Sequence, residues 1–200
     1  MDGDVQAWAT VNLTAPVSNQ LSVNVEAQTR LTDDVTRAGQ VSLRPSISWR
    51  IAETRTLSLG YAYLRSDPLG GAVRNEHRIW QQAAYRIAGR NGVRLYGRTR
   101  LEQRFVAGRD DTGWRVRQQM RITAPIGGAR AVVSGEPFYA LNGTEWGQRQ
   151  GFDQLRTFAG VNIPLNDVAS VEPGYLNQML FRRGEDRMNH IASLTLNLRI

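Results

Sequence analysis

From Gly92 to Pro125 the chain holds two long, strict alternations joined by one polar turn. From Val93 to Phe105 one face reads Val93, Leu95, Gly97, Thr99, Leu101, Gln103 and Phe105, and the other Arg94, Tyr96, Arg98, Arg100, Glu102 and Arg104. Successive side chains of a strand point to opposite faces, so period two marks β-structure. After Ala107–Gly113 the pattern resumes, with Trp114, Val116, Gln118, Met120 and Ile122 opposite Arg115, Arg117, Gln119 and Arg121. The pair is a hairpin with an apolar face and a cationic face. In a soluble sandwich the polar face meets water, and it seldom sets seven arginines and a glutamate against aliphatic residues in one hairpin. These runs exceed the roughly 5–6 residues of an ordinary strand. They meet the roughly 9–11 that a tilted strand needs to cross a bilayer. The pattern predicts a transmembrane β-barrel.

Two hundred residues suit a single domain, residues 1–200. Hydrophobic content is ordinary at 41%, and no run approaches the roughly 18 apolar residues of a membrane helix. A barrel escapes that test, because only every second residue faces lipid. The net charge of +7 comes from 25 basic residues, all of them arginine. They recur at alternate strand positions rather than in a block or patch, which argues against nucleic acid as a partner. Cysteine is absent, which fits an oxidising compartment and leaves no thiol for a metal or redox site. Met1-Asp2-Gly3-Asp4 shows no charged n-region or apolar h-region; for an exported protein this predicts a trimmed mature chain with an added methionine.

Further alternating runs cover Val5–Leu13, Leu21–Leu31, Val41–Ile51, Thr56–Leu64, Asn75–Ile87, Ala129–Tyr139, Phe152–Ile163, Val168–Phe181 and His190–Ile200. Pro45 sits on the apolar face of its run and predicts a bulge, since proline cannot donate to a ladder. Short connections alternate with long ones, the longer being Thr32–Gln40, Ser66–Val73 and Leu141–Gln150, as in outer-membrane barrels. Trp49, Tyr85, Phe105, Trp114 and Tyr139 lie near the ends of their apolar faces, where membrane-interface girdles belong. The runs number eleven, whereas single-chain bacterial barrels have even counts. The expectation is therefore an all-β, antiparallel, up-and-down barrel of about 10–12 strands.

The segments Asn75-Glu76-His77-Arg78-Ile79-Trp80-Gln81-Gln82, Arg98–Phe105, Gly151–Arg156 and Gly174–Gln178, in that order and spacing, resemble the uncharacterised bacterial outer-membrane family called domain of unknown function 2490. The resemblance runs from Gln6-Ala7-Trp8 to the final strand. It implies a barrel in the bacterial outer membrane, with the lipid bilayer as its surroundings and the barrel assembly machinery as its partner in biogenesis. It implies no activity. Outer-membrane barrels usually end in an aromatic residue, and this chain departs from that with Leu198-Arg199-Ile200; the departure bears on assembly rather than on fold.

The polar faces place Glu26, Arg30, Arg44, Glu76, Arg78, Arg94, Arg98, Arg100, Glu102, Arg104, Arg115, Arg117, Arg121, Glu136 and Arg156 in the lumen as a charge network. A buried ion is costly unless paired, so a salt-bridged filling is expected, with Asp153 and Glu172 as further carboxylates. Arginine forks also suit phosphate and carboxylate, which leaves a narrow, anion-preferring conduit or a site for an acidic ligand as the functional alternative. A lipid hydrolase is disfavoured: His77 and His190 fall on the apolar face and Ser193 on the other, so nucleophile and base do not converge. No cofactor or metal site is read, and Asn142-Gly143-Thr144 is taken as a chance sequon. The rival class is a soluble, calyx-like barrel with its faces reversed, placing Leu95, Leu101, Val116 and Ile122 inside.

Overall fold

The structure, a computed structural model, describes residues 2–200; Met1, expected above as an addition to a trimmed chain, lies outside them. Eleven strands form: β1 (Asp2–Pro16), β2 (Leu21–Thr32), β3 (Arg37–Ala52), β4 (Arg55–Ser66), β5 (Arg74–Arg90), β6 (Val93–Val106), β7 (Thr112–Ile126), β8 (Ala129–Ala140), β9 (Gly151–Pro164), β10 (Ala169–Leu180) and β11 (Arg187–Arg199). Each pairs with the next in sequence, and β11 closes the barrel on β1.

Eleven strands fall within the expected 10–12, and the wholly antiparallel sheet expected above is corrected. With eleven up-and-down strands the first and last run the same way, so the β1–β11 seam is parallel, in register from Asp2↔Arg187 to Thr14↔Arg199. Parallel pairing is slightly weaker per residue, but this seam is long. Side chains reinforce it: Asn12 Nδ2 donates to Asn197 Oδ1 at 2.9 Å.

The odd count also sets the two ends apart. One end gathers residues 33–36, 67–73, 107–111, 141–150 and 181–186 together with the start of β1; the other gathers 17–20, 53–54, 91–92, 127–128 and 165–168 with the end of β11. The short-turn end includes Asn91-Gly92, both at positive φ (50° and 79°), the geometry a two-residue hairpin turn demands. The loop expected over Thr32–Gln40 shrinks to four residues, because the Asp4 carboxylate accepts the N–H groups of Asp33 at 3.2 Å and Asp34 at 3.0 Å and folds the turn back over β1. Pro45 makes no bulge: Leu43↔Tyr63 and Ser46↔Gly60 keep one offset across it. The register shifts instead between Arg30 and Leu31 and between Arg50 and Ala52.

Facing is the dominant property. Leu95, Leu101, Val116 and Ile122 lie on the outer face, where Ile47 and Leu59 are 54% and 58% exposed. Glu102, Arg115 and Glu136 are buried inside. The chain thus inverts the usual soluble arrangement, and the reversed-face calyx is excluded. The interior also holds Ala62, Leu64 and Trp80, packed as an apolar cluster against one wall. Trp80 reaches across to Gly60, where any Cβ would run into its ring.

Candidate functional site

Three interior carboxylates, Glu102, Glu76 and Glu136, are each shared among several arginines. Glu102 on β6 accepts Nη2 of Arg115 at 2.7 Å and Nη1 of Arg117 at 2.8 Å. Arg78 and Arg100 stand 3.8 and 3.9 Å away. Glu76 on β5 holds Arg104 at 2.6 Å and Arg78 at 2.7 Å, with Arg74 at 3.3 Å. Glu136 on β8 holds Arg98 at 2.7 Å and Arg117 at 2.9 Å. Around these, Asp153 pairs with Arg115 at 2.8 Å, Glu172 with Arg121 at 2.5 Å, and Glu26 with Arg44. Sharing is the physical answer to burial, since each ion offsets its desolvation only by direct, hydrogen-bonded contact with opposite charge.

At the long-loop end one loop folds onto the interior. The β8–β9 loop turns inward and buries Gln148, whose Oε1 accepts Nη1 of Arg104 at 2.9 Å while its Nε2 donates to the Trp114 carbonyl at 3.2 Å. The Trp146 ring lies beneath Arg74 and Arg104, 4.9 and 5.0 Å from their guanidinium carbons. The lumen keeps a cavity of about 630 Å³, lined by nine arginines against Glu26, Glu136, Asp153 and Glu172. A second hollow of about 500 Å³, sharing Asn197 with it, opens at the short-turn end between Ser18, Arg50, Asn166 and Arg199.

Most of the sequence-predicted charges converge here, and three do not behave as network members. Arg94 is exposed at the short-turn rim and joins none of these ion pairs, because its run begins beside the Asn91-Gly92 turn, where water replaces a partner. That placement corrects its assignment to the lumen network. Arg30 and Arg156 do line the cavity but meet aromatic rings rather than carboxylates. Arg98 and Arg117 draw on Glu136, and Glu76 serves neither. On the outer face, Trp49 and Tyr85 lie toward the short-turn end, and Phe105, Trp114 and Tyr139 toward the long-loop end.

His77 and His190 are exposed on the outer face, each bonded through Nδ1 to a tyrosine hydroxyl: Tyr61 at 2.6 Å and Tyr175 at 2.7 Å. Ser193 faces inward, away from both. Among the described residues, no group of three or more His, Asp or Glu is placed to hold a metal ion. Sequence reading missed Trp8, Phe138 and Gln148 as parts of the site. Trp8 sits on the polar parity of its strand, which was a usable signal; Gln148 lies in a loop, where parity says nothing.

An apolar outer wall around an ion-paired, arginine-rich interior defines a closed β-barrel of inverted polarity. The chain belongs to the family described as Protein of unknown function (DUF2490), which matches residues 5–189. An uncharacterised protein of Methylorubrum extorquens is 35% identical over 201 residues, covering 98% of this chain and 88% of the relative. Among solved structures, a bacterial polysaccharide outer membrane secretin superposes with a TM-score of 0.57 at 12% identity, over 86% of this chain. The match spans 62% of that secretin chain, and at such identity it bears on the fold alone.

Proposed function

We propose that this protein spans the bacterial outer membrane as a structural barrel, its lumen sealed at the long-loop end by the arginine–carboxylate network and the β8–β9 loop. The observation that carries the reading is the facing: aliphatic side chains point outward along every wall while the charges point in. Strands of 12 to 17 residues exceed what a tilted crossing requires. Aromatic residues stand toward both rims of the outer face, as in known barrels. Polar groups on that face also satisfy one another, as lipid demands: Gln81 with Gln103 at 3.1 Å, Thr99 with Gln118 at 2.5 Å, and the two tyrosine–histidine pairs. The fold likeness to an outer-membrane secretin is in keeping with this siting, and biogenesis by the barrel assembly machinery follows from it.

A narrow, anion-preferring conduit is the second reading, favoured by the excess of arginine over carboxylate around the cavity. A charged lining of that kind selects ions where a path exists. Gln148 and Trp146, which reach Arg104 from the β8–β9 loop, oppose it. Planar-bilayer recordings separate the two: the sealed barrel inserts without steady conductance, whereas steady anion-selective current establishes the conduit instead. Recovery of the protein from cells in the carbonate-soluble fraction, rather than with outer membranes, would sink both.

A further inference from the structure

Among the described residues, the interior Arg30 and Arg156 form none of these ion pairs. Arg30 on β2 donates from Nε to Gln28 Oε1 at 2.8 Å and lies 3.8 Å from the centre of the Trp8 ring. Arg156 on β9 lies 5.0 Å from the same ring and 4.7 Å from that of Phe138, and its buried Nε has no acceptor. Arg98 binds Glu136 through Nη2, but its own Nε is likewise buried and unmet. All three line the cavity of about 630 Å³. The four carboxylates facing that space are already committed: Glu26 to Arg44, Glu136 to Arg98 and Arg117, Asp153 to Arg115, and Glu172 to Arg121.

An aromatic face offsets part of the cost of a buried guanidinium, but it leaves the in-plane N–H donors unsatisfied. Guanidinium groups held against rings on the wall of a cavity, and paired with no carboxylate among the described residues, are preorganised for a forked bond to an oxyanion. The cavity falls within the size range of small-molecule sites, roughly 300–1,000 Å³. We propose that this chamber binds a small, multiply charged oxyanion of the phosphate or carboxylate type, gripped between Arg30 and Arg156 over Trp8, with Arg98 as a third donor. The ligand enters from the short-turn end, through the hollow that shares Asn197 with the chamber. That direction of entry rests on the seal proposed above for the long-loop end; the binding chemistry itself does not.

The test is calorimetric titration of the full-length chain in detergent with pyrophosphate and with citrate, at constant ionic strength, using chloride as the control. One saturable site is expected for at least one of the two probes, and their order of affinity tells phosphate from carboxylate preference. Arg156→Gln and Arg30→Gln are each expected to weaken it tenfold or more. Arg37→Gln, at the long-loop rim and paired with Asp67, leaves it unchanged. If a glutamine variant does not fold, Arg156→Lys keeps the charge but loses the fork and is still expected to weaken binding severalfold. Absence of saturable binding by the folded, unmodified protein overturns the proposal, as does undiminished affinity in a folded Arg156 variant. Working in detergent keeps the two claims apart: conductance in bilayers with binding intact would remove the seal and leave the site, and silence without binding would do the reverse.

Discussion

Replacing Glu102 with glutamine keeps the shape of a side chain buried to 1% exposure and removes the charge on which Arg115, Arg117, Arg78 and Arg100 converge. Breaking a buried ion pair by neutralising one partner costs about 3–5 kcal/mol. Three of the four arginines keep another carboxylate: Arg115 has Asp153, Arg117 has Glu136 and Arg78 has Glu76. Arg100 retains the side-chain Oε1 of Gln82, at 2.7 Å from Nη2 and 2.9 Å from Nε, and the Trp80 ring at 4.0 Å. These remaining partners place the expected loss at the lower bound, about 3 kcal/mol, or roughly two decades in the folding equilibrium. Urea titrations of folding into lipid vesicles, followed by tryptophan fluorescence and extrapolated linearly, measure it. Glu26→Gln is the internal comparison, because Glu26 is about one-third exposed and pairs with Arg44 alone; partial hydration screens that pair, and the loss there is expected near 1 kcal/mol or less. Equal, small losses of under about 1 kcal/mol at both positions would mean that water solvates the whole lumen, and the closed network would be refuted.

Leu101→Arg puts a charge on the outer face midway along β6 and is expected to cost roughly 2–4 kcal/mol in vesicles; a change near zero would show that the position does not meet lipid. Gly60→Val drives a side chain into the Trp80 ring and is expected to destabilise by about 1–3 kcal/mol, read as a lower urea midpoint with unchanged slope. Gln148→Ala removes the acceptor for Arg104 Nη1 and the donor to the Trp114 carbonyl, with an expected loss of about 1–3 kcal/mol. Deleting the loop residues 143–149 is expected to raise bilayer conductance above that of the unmodified protein, and continued silence would place the seal deeper, in the network itself.

Period-two alternation was enough to establish strands, their number within one, the inward parity of the arginines and glutamates and the outward parity of the aliphatic residues, because facing is a local property of an extended backbone. Burial cost then made ion pairing inside foreseeable. Partner choice was not legible. Whether Arg98 meets Glu136 or Glu102 depends on how the registers of successive strands add up across the closed sheet, and no local pattern encodes that sum. Closure likewise decided that eleven strands suffice with one parallel seam, that Arg94 stands at the rim rather than in the network, and that Pro45 is absorbed without a bulge. The inward turn of the β8–β9 loop was hidden for a different reason: Trp146 and Gln148 sit where neither period nor parity applies, and only the tertiary fold turns them onto Arg104. Trp8 shows both sides, since its parity announced that it points inward, while the two unpaired arginines that meet its ring come from β2 and from β9, 148 residues further along the chain.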